Sequence, residues 1–214
     1  MHKNLGISFL LRQAGKGVYD VYMTTSQRIF QTAKAQFESG GLAGLSLRSV
    51  ARTVGVTPMA IYRHYPGKDA LLEALMRDGL AVWENRVGAI TARDPLEWLE
   101  ELCDEFLAFA LTDPRGYEAA FLLPASGARR YPEDFAAGRS PVMSMVYKRI
   151  EQARAAGRIG EAPAAEIGLA VAALAQGLVS LYRADRFSGE SQFRAAYLTA
   201  TRHCLRSFLK NSPP

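Results

Sequence analysis

Cysteine and histidine are both scarce in this chain of 214 residues, which contains two cysteines and three histidines. Cys103 and Cys204 lie within apolar helical patterns, and His2, His64 and His203 are far apart, so the sequence shows no metal-ligand spacing. HExxH, GxSxG and Walker-loop patterns are absent as well. These absences argue against an enzyme and predict no metal, no other cofactor and a reduced, cytoplasmic setting.

Long hydrophobic runs are also lacking. Residues 167–182 carry no charge, but these 16 residues fall short of the roughly 20 that a membrane-spanning helix needs. The stretch is rich in alanine and glycine, with Gln176 in its middle, which favours a buried bundle helix. The apolar residues 7–11 are too few for a secretory signal. The sequence therefore predicts no membrane partner.

Positive charge is in surplus only near the N-terminus. The formal net charge is +5, and residues 1–79 hold 10 of the 26 basic and 5 of the 21 acidic residues. The remaining residues are balanced, with 16 of each sign. A basic N-terminal part in a chain of ordinary hydrophobic content indicates a nucleic-acid partner.

Apolar periodicity and capping residues predict an all-α chain. Asp94, Asp113 and Ser140 each precede a proline, and each pair predicts a capped helix start. The predicted helices cover residues 24–39, 46–53, 57–64, 68–92, 95–112, 114–122, 141–156, 163–184 and 190–209, with an irregular stretch at 123–139.

Residues 46–69 are typical of a DNA-reading element made of two short helices and a tight turn. Ser46 is a hydroxyl N-cap, Gly55 ends the first helix, Thr57 caps the second and Pro58 suits its first turn. The outer side of the second helix then carries polar and flat side chains, which is what a helix in a major groove requires.

The surrounding residues make a resemblance specific. The motif begins with a helix that carries Ile29, Ala33 and Phe37 on one stripe and breaks at 40–41. Three segments follow in order, namely residues 45–56, residues 61–65 and Lys-Asp-Ala-Leu-Leu at 68–72. Residues 24–80 thus resemble the tetracycline-repressor (TetR) family of transcriptional regulators. The resemblance implies a three-helix helix-turn-helix head at 23–67 and a helical bundle at 68–212 for ligand binding and dimerisation.

Residues 1–22 lie outside the motif, and we expect them to form a flexible extension. Two interpretations remain open at this point. The segment is either a basic arm that holds phosphates through Lys3, Arg12 and Lys16, or an extension upstream of a start at Met23.

The resemblance also implies residue roles in binding double-stranded operator DNA. Positions that usually contact phosphates are Thr57, Tyr62, His64 and Lys68. Positions that approach base edges are Arg48, Pro58, Met59 and Arg63. Tyr65, in contrast, is predicted to be a packing residue.

Two C-terminal helices are apolar over more than one face and need a second partner. We expect them to pair with their copies in a homodimer, which would read a palindrome. The interface is predicted at Gly168, Ala172, Ala175, Gly177, Tyr197 and Cys204, while Leu174, Leu178, Leu181 and Tyr182 face the core. Central helices of a monomeric bundle are the alternative.

Most regulators of this kind release DNA when a small molecule enters the helical domain. Aromatic and methionine side chains commonly line apolar sites. The candidate pocket comprises Trp83, Trp98, Phe106, Phe109, Tyr117, Phe121, Met143 and Tyr147. They predict an apolar or aromatic effector that tilts helix 68–92. The alternative is a DNA-binding regulator whose helical domain responds to a protein partner or to no ligand.

Overall fold

A computed structural model describes residues 23–210 and contains ten helices in this range. They are α1 Thr25–Gly44, α2 Leu47–Val54, α3 Pro58–Tyr62, α4 Lys68–Gly88, α5 Pro95–Thr112, α6 Pro114–Phe121, α7 Glu133–Ala136, α8 Pro141–Ala155, α9 Ala164–Arg183 and α10 Glu190–Ser207. The all-α prediction is confirmed. Between residues 23 and 210, extended pairing is limited to one bridge between Ile159 and Leu209. The predicted extension at 1–22 lies outside the described residues.

Four local features differ from the sequence prediction, and the first is that α4 ends at Gly88 and not at residue 92. The stretch 123–139 is not wholly irregular, because the four residues of α7 form a short helix within it. Gly41 is non-helical at φ +60°, as the predicted break requires, but the helix resumes and ends only at Gly44. Ser140 occupies the N-cap position of α8 but makes no capping hydrogen bond with its side chain. Asp94 and Asp113 do cap their helices.

The chain divides into two compact units between Leu75 and Met76, inside α4. In the first unit, Ile29, Phe37, Val50 and Ile61 are buried and form the core of the head. The Gln36 side chain joins α1 to the start of α2, since its amide donates to Ser49 Oγ at 3.1 Å and accepts from the Ser46 amide at 3.3 Å. The predicted boundary at residue 67 remains a prediction.

The second unit has an aromatic core. Trp83 of α4 stacks on Phe109 of α5, with ring centroids 5.8 Å apart. Tyr197 of α10 is fully buried, and its hydroxyl donates to the carbonyl oxygen of Cys103 at 3.0 Å. Burial raises the pKa of Tyr197, so this hydroxyl stays protonated and keeps its bond. The bond joins α10 to α5.

Helix α9 is less buried than its composition predicts. Among the described residues it is the one helix that is long and apolar enough to cross a membrane, yet only 22% of its most apolar stretch is buried. It packs against α5, α8 and α10 on one side. The opposite side of α9 is uncovered in a single chain, and the prediction that this helix packs against a second partner remains a prediction.

Candidate nucleic-acid interface and ligand cavity

The helix-turn-helix geometry follows from two capping hydrogen bonds and one left-handed glycine. Ser46 Oγ accepts from the Ser49 amide at 3.4 Å, and Thr57 Oγ1 accepts from the Ala60 amide at 3.2 Å, so both predicted N-caps are confirmed. Gly55 ends α2 in the left-handed region at φ +77°, a conformation that strains a residue with a Cβ. These residues set the angle at which α3 leaves the turn.

The outer side of α3 is open to solvent. Ile61 points into the head with no exposed surface, which fixes the orientation of the helix. Met59 is then 68% exposed and Tyr62 is 47% exposed, unusually high values for large hydrophobic side chains. All eight residues predicted to contact DNA are exposed, namely Arg48, Thr57, Pro58, Met59, Tyr62, Arg63, His64 and Lys68. Their contacts with DNA remain a prediction.

Positive charge dominates the head. Residues 23–67 contain five basic side chains and one acidic side chain, Glu38. Arg52 is a basic residue that sequence reasoning missed, and it is exposed one turn after Arg48 in α2. The spacing of four residues could have identified it, since such positions share a helix face. Tyr65 is half-buried with its hydroxyl 3.5 Å from Ser26 Oγ, which agrees with a packing role.

The second unit contains a cavity of about 650 Å³ that is large enough for a drug-sized molecule. Five of the eight predicted pocket residues line it, on four different helices. They are Trp83, Phe106, Phe121, Met143 and Tyr147. The rings of Trp83 and Phe106 meet edge to face at 5.4 Å and form part of an apolar wall.

The structure corrects the other three pocket residues. Trp98, Phe109 and Tyr117 are buried but do not line the cavity. The Arg149 guanidinium lies over the Trp98 ring, and Phe109 packs behind Trp83. Helical spacing marks all three as inward-facing, but only the packing of neighbouring helices decides which inward side chains meet a void.

Sequence reasoning missed most polar residues of the cavity wall. Arg129 and Tyr131 come from the stretch that was predicted as irregular, and Gln176 comes from α9. Arg129 forms an ion pair with Glu84 at 3.2 Å, which neutralises its charge. Burial raises the pKa of Cys103, another lining residue, to about 12, so its thiol stays neutral. The wall therefore favours an uncharged, largely apolar occupant.

The predicted dimer residues divide into two groups. Ala172 and Gly177 are exposed, and Cys204 is half-buried. Gly168, Ala175 and Tyr197 are buried within the single chain. Their assignment to the dimer interface is therefore corrected, since a residue without exposed surface cannot contact a partner. A Cβ at Gly168 would lie 2.9 Å from the Tyr147 ring, so the small residue serves internal packing.

The inward and outward sides of α9 were also partly exchanged. Leu181 was predicted to face the core but is 48% exposed. The uncovered side of α9 carries Leu169, Ala172, Ala173, Gly177, Ser180 and Leu181. These side chains are small or apolar and lie within an uncharged stretch.

Comparison with known proteins identifies both units. Residues 29–75 match the family described as bacterial regulatory proteins, tetR family, and residues 99–204 match the tetracyclin repressor-like C-terminal domain. An HTH-type transcriptional regulator of Mycobacterium tuberculosis is 28% identical over 138 residues. That match covers 62% of this chain and 58% of the regulator, so the chain spans less than two thirds of this relative's length.

Solved structures show the same fold. A TetR transcription regulator from Haloarcula marismortui has a TM-score of 0.66 at 18% identity, and the match covers 87% of this chain and 98% of that one. AibR, solved in complex with isovaleryl coenzyme A and operator DNA, has a TM-score of 0.58 at 17% identity, over 86% of this chain and 99% of AibR.

Proposed function

Because the chain belongs to the TetR family of bacterial transcriptional regulators, which are not enzymes, we propose the following mechanism by which it regulates transcription. It acts in the cytoplasm as a homodimer that binds a palindromic operator and releases it when a small apolar molecule enters the cavity. Repression is the expected result. The observation that carries this proposal is the exposed polar and aromatic side of α3, held outward by the buried Ile61.

Recognition divides between two kinds of contact. Tyr62, His64, Lys68 and Thr57 would hold phosphates and set the register of the head, to which Arg52 would add one contact. Arg48 and Arg63 would read base edges, since a guanidinium pairs with guanine O6 and N7. Met59 and Pro58 offer only apolar contacts, for example to a thymine methyl group.

A dimer makes this recognition specific. One short reading helix contacts few base pairs, whereas two heads about 34–36 Å apart read both halves of a palindrome. The uncovered apolar side of α9, together with half-buried Cys204 on α10, supports an interface between two copies. Because Gly168 and Ala175 of α9 and Tyr197 of α10 are buried, the proposed contact lies instead at the exposed residues Leu169, Ala173 and Leu181 of α9.

Effector control would act through α4. Leu80 and Trp83 of this helix line the cavity, and the same helix begins at Lys68, a proposed phosphate contact. A ligand that displaces α4 would change the spacing between the two reading helices. It must bind the released form more tightly than the DNA-bound form, since equal affinity shifts no equilibrium.

Selection of binding sites from a random DNA pool tests the proposal. We expect the purified wild-type protein to enrich a palindrome. Lys68→Ala should weaken binding to every sequence and reduce the salt dependence, by a slope of about one per subunit. Arg63→Ala should instead change which bases are selected. Arg130→Ala, an exposed charge removal in the second unit, is the matched control and should change neither property.

Two results would contradict the proposal. A pool without any enriched sequence would remove sequence-specific binding altogether. A change of sequence preference in Lys68→Ala, with an unchanged salt slope, would show that phosphate and base contacts have been assigned the wrong way round.

A further inference from the structure

Two tyrosine hydroxyls, those of Tyr117 and Tyr147, are buried without a hydrogen-bonding partner in the described part of the chain. They differ in one respect, since Tyr147 lines the cavity and Tyr117 does not. Burial raises the pKa of Tyr147, so its hydroxyl stays protonated at neutral pH and can donate a hydrogen bond. A buried donor without a partner is costly, and a ligand that offers an acceptor removes this cost.

A second unused hydroxyl lies at the start of α8. Ser140 is only 7% exposed and lines the cavity, yet its side chain makes no capping hydrogen bond. The hydrogen bond that it does make uses its backbone carbonyl oxygen, which accepts from Ser144 Oγ at 3.0 Å. The first amides of a helix have no partner within the helix, and the Ser140 side chain does not supply one here. Because Val142 and Met143 of this turn also line the cavity, the start of α8 presents unused donors to it.

The packing of α8 against α9 brings Gln176 to the same end of the cavity. Arg154, in the last turn of α8, donates to the carbonyl oxygen of Ala162 just before α9 begins, so the two packed helices run antiparallel. The Tyr147 ring packs against Gly168, and long side chains of a helix point back toward its N-terminus. Gln176 follows Gly168 by roughly 12 Å along α9, which places it level with the start of α8. Its amide also lines the cavity and adds a polar group there.

We propose that the hydroxyls of Tyr147 and Ser140, flanked by Gln176, form a polar end of the cavity that binds a carbonyl oxygen of the effector, as in a neutral ketone, ester or amide. The inference rests on the proposed function, which supplies the effector site, and it adds the class of molecule bound there. The apolar body of the ligand lies against Trp83 and Phe106. A rotation of the Tyr147 ring toward the cavity brings its hydroxyl to the ligand and breaks no hydrogen bond, since the hydroxyl has none.

The charges around the cavity favour a neutral carbonyl over a carboxylate. Among the described residues that line the cavity, Arg129 is the only charged one, and it forms an ion pair with Glu84 at 3.2 Å. A carboxylate would lose its hydration without gaining an unpaired positive charge. A carbonyl oxygen has two lone pairs, so it can accept from both hydroxyls at once.

The experiment compares two neutral naphthalene dyes of similar size. Prodan, 6-propionyl-2-(dimethylamino)naphthalene, carries a ketone, and its emission moves to longer wavelength when that ketone accepts a hydrogen bond. N-phenyl-1-naphthylamine has no carbonyl group. Tyr147→Phe and Ser140→Ala each remove one proposed donor. Tyr117→Phe is the matched control, because it removes the other unpartnered hydroxyl, which lies outside the cavity wall.

We expect Tyr147→Phe to bind prodan about fivefold more weakly than the wild type, the effect of one neutral hydrogen bond, and to shift the emission of the bound dye to shorter wavelength. Ser140→Ala should act in the same direction, and it decides if Tyr147→Phe is unfolded. Neither variant should change the affinity for N-phenyl-1-naphthylamine, and Tyr117→Phe should change neither dye. Without ligand, Tyr147→Phe should have a Tm no lower than that of the wild type, because no hydrogen bond is lost.

Several outcomes would overturn the inference. They are a wild type that does not bind prodan, a folded Tyr147→Phe or Ser140→Ala variant with wild-type prodan affinity, an equal loss of affinity for both dyes, and a loss in Tyr117→Phe as large as that in Tyr147→Phe. A wild type that still enriches a palindrome would show that the proposed DNA recognition survives such a failure. A wild type that enriches no sequence would instead overturn the proposed function, whatever the dyes show.

Discussion

Helix α6 approaches α4 so closely at Gly79 that a methyl group has no room. The substitution Gly79→Ala tests this close packing. A Cβ at Gly79 would lie 2.8 Å from the backbone nitrogen of Ala120 and 2.9 Å from the carbonyl oxygen of Gly116. Ordinary contacts begin at 3.4 Å, so the two helices must separate by about 0.6 Å. Both neighbours are backbone atoms, and no side-chain rotation relieves the overlap.

The stability change has two opposing contributions. Alanine favours a helix by about 1 kcal/mol over glycine. Overpacking costs about 1–3 kcal/mol. The expected net loss is about 1 kcal/mol, which lowers the Tm by about 2–4 °C for a unit of this size. Gly88→Ala is the matched control at the end of the same helix, where a Cβ would meet nothing within 4 Å, and it should be neutral or stabilising.

The same substitution should affect DNA binding. Because Leu80 and Trp83 of α4 and Phe121 of α6 line the cavity, separation of the two helices resembles the displacement proposed for an effector. Gly79→Ala should therefore bind operator DNA more weakly than Gly88→Ala when no ligand is present. Differential scanning fluorimetry and a DNA titration measure the two effects. The packing argument fails if Gly79→Ala proves as stable as Gly88→Ala.

Other predictions concern hydrogen bonds and caps. Tyr197→Phe should lower the free energy of unfolding by about 1 kcal/mol, since a buried bond is lost. Tyr117→Phe should be neutral or stabilising in urea unfolding, because that buried hydroxyl has no partner among the described residues; a larger loss than in Tyr197→Phe would contradict both. The Glu97 amide lowers the pKa of Asp94, so the ionised carboxylate stabilises the fold above about pH 4 and this contribution disappears at lower pH. The difference in Tm between wild type and Asp94→Asn should accordingly shrink on acidification, and a constant difference would refute the linkage. Thr57→Ala should destabilise the head by about 1 kcal/mol and weaken DNA binding, both restored in Thr57→Ser; full DNA affinity in Thr57→Ala would show that the cap does not position α3.

Local signals predicted the head well because its structure depends on neighbours in sequence. Ser46, Gly55 and Thr57 act on amides and backbone angles within four residues of themselves. Because Ile61 is buried on the inner side of α3, Met59 and Tyr62 lie on its outer side and are exposed. The short helix Glu133–Ala136 escaped prediction because it contains only four residues, which is too short for a periodic pattern.

The cavity was only partly predictable. Trp83 and Phe109 stack on each other, and both are inward-facing by periodicity, yet only Trp83 meets the void. Arg129 and Tyr131 reach the wall from a segment without periodicity, so no sequence pattern marked them. The inward and outward sides of α9 were partly exchanged in the sequence prediction for a related reason. A helix rich in alanine and glycine has only a weak apolar stripe. The inward side of α9 depends instead on the close packing of the Tyr147 ring against Gly168.

By itself, the order of residues determined the all-helical class, the family, the side of α3 that faces outward and every predicted cap except Ser140, because each depends on short-range spacing and backbone chemistry. Only the tertiary structure decided where space remains between α4, α5, α6, α8 and α9, and which side of α9 lies uncovered. Voids and uncovered surfaces are properties of several helices packed together, since each depends on how far distant side chains reach and where they fail to meet.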